Sequence, residues 1–254
     1  MIATGIELTV QGAVARLVLA RPERRNAFDT AMLVGMEDVI RELEKRRDVE
    51  VVVLTGQGPV FCAGTDLKEL SSLGTDDTLH WQRRTSELVE RWSRLTATTL
   101  TAYNGPAVGS GAILGLASDL RVACDATWFS FPEAGYGLPL TWSGVPLLVG
   151  LLGADRTKRI LLLQERLSAE QLLEAGLVMS LWPASDPAQL DAEVDRLVAR
   201  LLATPWLGRS MAKRATALAA SAPGFAATAL DPFTAALSVE LRGKGAYLSP
   251  AKKG

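Results

Sequence analysis

The chain has 254 residues, 48% hydrophobic and 22% charged, enough apolar material for a sizeable core, which excludes a disordered, collagen-like or coiled-coil protein. Its 27 Lys and Arg against 28 Asp and Glu leave a formal charge of -1, so nothing in the balance points to nucleic acid or an acidic membrane surface. One histidine, His80, and two cysteines, Cys62 and Cys124, exclude a disulfide framework, a Cys/His zinc site and any catalytic triad that needs histidine.

Ile6, Leu8 and Val10 alternate with polar residues and Gln11-Gly12 precedes Val14 to Leu19, so the chain should open on a β-hairpin. A basic turn follows, Arg21-Pro22-Glu23-Arg24-Arg25-Asn26. Asp29 is placed to cap a helix reaching about Arg47, in which Met32, Leu33, Met36, Val39, Ile40 and Leu43 recur at helical spacing. Val51 to Leu54 is fully apolar, as expected of a parallel strand covered on both faces. It runs through Thr55-Gly56-Gln57-Gly58-Pro59-Val60-Phe61-Cys62-Ala63-Gly64 into a helix starting near Asp66.

The same junction recurs further on. A helix over Asp77 to Leu95 leads to a strand over Thr99 to Tyr103, a loop from Asn104 to Gly111 and an apolar helix over Ala112 to Ala117. Arg121 to Cys124 and Thr127 to Phe131 read as two more short strands, after which only helices are predicted: 143–152, 155–163, 168–175, 187–202, 205–220 and 226–241. Ser168 to Gln171 fits a capping box, and Gly176 fits the stop. The expected organisation is an α/β core over 1–182 and a helical region over 183–254. Two uncharged stretches, Leu95 to Ser118 and Ala134 to Ala154, are interrupted by Gly, Pro, Thr and Asn, so neither suits a membrane span. With no basic region and apolar run at the N-terminus, the expected location is the cytoplasm.

Each glycine-bearing junction presents backbone N–H groups at the start of a helix, an arrangement that can hold a phosphate or a developing oxyanion. Neither loop has a P-loop's Gly-Lys-Ser/Thr or a dinucleotide fingerprint's spacing. Phe61 to Glu69, Arg21 to Ala27, and Ala102 to Gly111 continuing into Ala117-Ser118-Asp119-Leu120-Arg121 together resemble, in order and register, the crotonase or enoyl-CoA hydratase/isomerase superfamily. The resemblance runs from about Ile6 to Val178. It implies a spiral of β-β-α turns, a helical tail that builds trimers or dimers of trimers, and an acyl-CoA substrate that brings its own CoA, with no separate cofactor and no metal.

The resemblance also assigns residues. Thr65 N–H and Ser110 N–H would hold the thioester oxygen, Ser110 departing from the family's usual glycine. Ala63, Asp66, Leu67 and Gly111 would lie along the ligand, and Arg24, Arg25 and Ala27 would form the CoA-binding turn, the two arginines being either phosphate partners or solvated cations. Hydratases of the family use two glutamates. The first position is Ile113 here, which cannot move a proton, and the second is Glu133. Set among Trp128, Phe129, Phe131, Tyr136 and Leu138, the Glu133 carboxyl should be desolvated and its pKa raised. An apolar residue at the first site with a glutamate at the second resembles the mitochondrial-type Δ3,Δ2-enoyl-CoA isomerases, and Leu140 replaces the acid other members carry. Hydration by one glutamate and non-catalytic acyl-CoA binding are the competing readings. Trp81, Trp92 and Trp142 are pocket wall or core, with core favoured for the first two and Trp142 kept as a substrate contact. Tyr247 to Pro250 resembles the step that precedes a last helix in typical family members, and by that resemblance the helical region is expected to be shortened.

Overall fold

The computed structural model describes residues 2–3 and 5–221, so the expected helix over 226–241 and the Tyr247 to Pro250 step lie outside the described residues. The chain divides into two compact units, Met1–Thr204 and Pro205–Gly254; of the second, the structure describes one helix, α9 (Trp206–Ser221).

The first unit is built on a seven-stranded mixed sheet. The predicted hairpin is β2 (Ile6–Gln11) and β3 (Val14–Leu19), antiparallel with Leu8 opposite Leu17, and β1 (Ile2–Ala3) adds an antiparallel edge. From β3 onward the sheet is parallel through β4 (Val51–Gly56), β5 (Thr98–Tyr103), β7 (Leu120–Cys124) and β10 (Leu181–Trp182). A smaller sheet pairs β6 (Ala107–Val108) with β8 (Trp128–Ser130) and β8 with β9 (Leu167–Ser168). Strands therefore do not stop at Phe131. The two later ones are two residues long and attach to the edges of existing sheets, too short for any alternation to register.

Successive turns of the chain use the two layers in the same way. The chain leaves β5 in the large sheet, pairs briefly as β6 in the small one, and enters α4 (Ser110–Leu116); β7 and β8 repeat the step before α5 (Gly144–Leu152) and α6 (Ala154–Leu163). After β4, single bridges from Cys62 to Ala107 and from Thr65 to Phe28 replace the short strand, and α2 (Leu67–Leu70) and α3 (Thr75–Ser93) follow. The result is a ββα spiral.

Helix α1 (Thr30–Lys45) starts where Asp29 Oδ1 accepts the Met32 N–H at 2.8 Å, and its buried stripe packs with the main core. Both faces of β4 are covered. Val52 and Leu54 join the main core, whereas Val51 and Val53 pack with Leu190, Val194, Leu197 and Val198 of α8 (Pro187–Ala203). The Ser168/Gln171 capping box at α7 (Ala169–Glu174) is present, and Gly176 stands at φ +70°. Among the described residues no helix is long and apolar enough to cross a membrane.

Candidate active site

Two asparagines, Asn26 buried and Asn104 half-buried, fix the loop after β4. Asn26 is fully buried at φ 55°, a left-handed conformation that asparagine tolerates better than most side chains. Its Oδ1 accepts the Arg21 N–H, and its Nδ2 donates to the carbonyls of Gln57, Val60 and Phe61 at 3.0, 2.8 and 3.1 Å. Asn104 Oδ1 accepts the Gly56 N–H, and its Nδ2 donates to Gly58 O at 2.6 Å. An exchange of Asn26 for leucine, similar in size, strands these buried polar groups. It should lower unfolding free energy by about 1–3 kcal/mol, measured by urea denaturation; an unchanged midpoint would show the clamp to be dispensable.

The two glycine loops are then zipped side by side. Val108 N–H donates to Cys62 O at 3.0 Å, and Cys62 Sγ bonds Asn26 O at 3.0 Å. Burial pushes the Cys62 thiol up to about 12, so it is a structural group with no thiolate character. Gly111 lies against this cysteine so closely that a Cβ there would be 2.6 Å from Cys62 O, and one at Gly64 would be 2.7 Å from Val108 O. Close approach places Thr65 and Ser110 together, their hydroxyl oxygens 3.2 Å apart.

Among the described residues the backbone N–H groups of both residues have no hydrogen-bond partner. In the parallel bridge between Phe28 and Thr65, the bonds run from Phe28 N–H to Gly64 O and from Asp66 N–H to Phe28 O, so Thr65 N–H takes no part. Ser110 is the first residue of α4, where no helical carbonyl precedes its N–H.

A cleft of about 90 Å³ opens at this point, and Thr65, Gly109, Ser110, Glu133, Tyr136 and Thr141 are among the residues lining it. Glu133 begins the short 3-10 turn Glu133–Tyr136 after β8. It is half-buried, its Oε2 is buried with no hydrogen-bond partner among the described residues, and desolvation raises its pKa above the ordinary glutamate range. Glu133 is the only carboxylate among the described residues lining the cleft, and no Lys, Arg or His among them lines it. Gly109 supports it from below: the glycine adopts φ 52°, ψ -124°, and a Cβ there would stand 2.1 Å from Glu133 Oε1.

The other sequence candidates separate into mouth, wall and backing. Ala63 and Leu67 line the cleft. Asp66 caps α2, its carboxylate accepting the Lys68 and Glu69 N–H groups. Arg24 and Arg25 are exposed and form no ion pair among the described residues; Arg25 O accepts the Ala63 N–H at 2.9 Å, which ties the basic turn to the mouth. Ala27 belongs to that turn, its carbonyl accepting from Arg21. Gly111, Ile113 and Trp142 do not line the cleft. Ile113 is fully buried, and Trp142 is fully buried behind Trp81, with ring centroids 6.0 Å apart, and against Phe28 at 4.9 Å. Trp81, expected in the core, is 5% exposed and also a cleft wall. No sequence signal marks Gly109, because its contact with Glu133 crosses elements that sequence spacing does not connect. His80 is exposed and does not line the cleft.

Comparison with known proteins identifies the relatives of this chain. A family model described as enoyl-CoA hydratase/isomerase matches residues 9–237. The Mycobacterium tuberculosis (strain CDC 1551 / Oshkosh) protein named "Probable enoyl-CoA hydratase echA6" is 34% identical over 194 residues, 76% of each chain. The 1,2-epoxyphenylacetyl-CoA isomerase of Escherichia coli (strain K12) is 31% identical over 210 residues, 81% of this chain and 79% of its own. A crystal structure of a Thermobifida fusca YX protein in complex with acetoacetyl-CoA matches at a TM-score of 0.82 and 27% identity, covering 94% of this chain and 95% of that one. With a family model spanning most of its length and its ββα spiral shared by the solved relatives, the chain belongs to the enoyl-CoA hydratase/isomerase family and has the crotonase fold.

Proposed function

We propose that this protein moves the double bond of a 3-enoyl-CoA into conjugation with the thioester, as a Δ3,Δ2-enoyl-CoA isomerase. The observation that carries this reading is that Glu133 is the only carboxylate among the described residues lining the cleft, which Thr65 and Ser110 also line; by the family resemblance the second glutamate's position is taken by the apolar, fully buried Ile113. The Glu133 carboxylate removes a proton from C2. The electron pair moves onto the thioester oxygen, giving a dienolate whose negative oxygen is met by Thr65 N–H and Ser110 N–H. The protonated Glu133 then returns the proton to C4, and the C2–C3 double bond forms.

One group suffices for both transfers because the proton is removed and returned within the same substrate. No electron acceptor or metal is required by this sequence of steps, and CoA enters only as part of the substrate. With no positive partner among the described residues, Glu133 stays basic enough to compete for a carbon-bound proton. The exposed cations Arg24 and Arg25, held beside Ala63, suit the CoA phosphates.

Hydration is the second reading, favoured by relatives that carry hydratase names. It requires Glu133 alone to activate a water as well as to exchange protons. Purified protein should be given a 3-enoyl-CoA and, separately, a trans-2-enoyl-CoA while the conjugated thioester absorbance is followed. A rise in the first cuvette is expected. A fall confined to the second would replace isomerisation by hydration, and no change in either, with CoA thioesters still bound, would leave an acyl-CoA binder.

We also propose a homotrimer or a dimer of trimers. Its support is an exposed apolar surface on α5 and α6, where Val145, Val149, Leu151, Leu162 and Leu163 face outward without cover from the described residues.

A further inference from the structure

The cleft contains a hydroxyl pair whose hydrogen bonds do not use all its protons. Thr65 Oγ1 and Ser110 Oγ lie 3.2 Å apart, and each hydroxyl has one proton and accepting lone pairs. One proton is engaged in the link between them. The other has no acceptor among the described residues, although both residues line the cleft and Ser110 is only 4% exposed. A buried hydroxyl proton without an acceptor is a donor awaiting one.

The position of the pair identifies the acceptor. Thr65 and Ser110 are also the residues whose backbone N–H groups the proposed mechanism assigns to the thioester oxygen, and both line the cleft that would receive it. Thr65 is the more exposed of the two. Its hydroxyl is therefore the outer member and Ser110 the inner one.

We infer that the Thr65 hydroxyl donates to Ser110 Oγ and that the Ser110 O–H donates to the substrate's thioester oxygen, making Ser110 a catalytic residue through its side chain as well as its backbone. The inference rests on the proposed enolate mechanism and adds a third donor to it. The bond strengthens as charge develops on the oxygen, because an enolate is a better acceptor than a thioester carbonyl, so the effect belongs to the transition state more than to substrate binding. Donation from Thr65 polarises the Ser110 hydroxyl and increases its strength as a donor.

The test is Ser110→Ala, which keeps the N–H and the Cβ and removes only the hydroxyl. Loss of one such donor costs roughly a hundred-fold in kcat, with KM changed little. Thr65→Val should cost less, because it acts only through Ser110, and the Ser110→Ala/Thr65→Val double variant should be no slower than Ser110→Ala alone. A second readout is the enolate content of bound acetoacetyl-CoA, followed by its near-ultraviolet absorbance across pH. Ser110→Ala should move the enolate's appearance to higher pH, a change that a merely structural serine would not produce. If wild type turns over 3-enoyl-CoA and enolises acetoacetyl-CoA and Ser110→Ala does both equally well, the third donor is wrong while the enolate mechanism stands. If wild type does neither, both readings fall.

Discussion

Glu133→Gln lowers kcat for 3-enoyl-CoA isomerisation by about a thousand-fold, within the range expected when a positioned general base is removed, and leaves acyl-CoA affinity within a few-fold. The glutamine keeps the shape of the side chain and cannot take a proton from carbon. Activity also identifies the base through pH. Since burial raises the Glu133 pKa, the acidic limb of kcat/KM should lie above the ordinary glutamate range and vanish with the substitution. A limb at the ordinary value, or a Glu133→Gln variant as active as wild type, would remove Glu133 from the mechanism.

The same substitution should make the protein more stable at neutral pH. A carboxyl whose pKa is raised by folding contributes stability below its unfolded pKa, and that contribution is lost as pH rises through the folded value. The fold desolvates the Glu133 carboxylate, which raises its pKa, and leaves Oε2 unpartnered among the described residues. Glutamine removes the charge, so the Tm of Glu133→Gln should exceed that of wild type at neutral pH, and the difference should shrink as the solution is acidified below the ordinary carboxylate range. Opposite movement of activity and stability at one position is the signature of a site held in an unfavourable environment for its chemistry.

What the sequence makes legible here is periodic or local. The alternation of Ile6, Leu8 and Val10, the Asp29 cap and the helical stripe from Met32 to Leu43 each specify an element by themselves, and the structure has them. The two glycine loops are legible as strand-to-helix junctions for the same reason. Strands β6, β9 and β10 are not, since a two-residue strand exists only through its partner. Trp81 is ambiguous in sequence because the stripe Trp81, Thr85, Leu88 and Trp92 reads as a core face, which it is; that its first member also walls a cleft depends on where the loops around Leu138 and Thr141 come to rest. Asn26 reads as one more residue of a basic turn, while its side chain reaches three carbonyls more than thirty positions away.

Gly109 is the strongest case of a role set by long-range contact, and Gly109→Ala should nearly abolish activity. Two separate physical effects act there. At φ 52° and ψ -124° any side chain is strained, by about 1–3 kcal/mol. A Cβ 2.1 Å from Glu133 Oε1 also overlaps the carboxylate, which must move. Displacing a catalytic group by about 1 Å is worth on the order of a hundred-fold in rate. Gly153→Ala separates the two effects, because Gly153 has φ +77° and nothing within 4 Å of the point where a Cβ would stand. Both variants should lose comparable stability in urea denaturation, and only Gly109→Ala should lose turnover. In a Glu133→Gln background the activity cost of Gly109→Ala should largely disappear, since the group it displaces no longer carries the proton. Equal activity losses at Gly109 and Gly153, or full additivity with Glu133→Gln, would mean that strain in the backbone and not displacement of the carboxylate governs the effect.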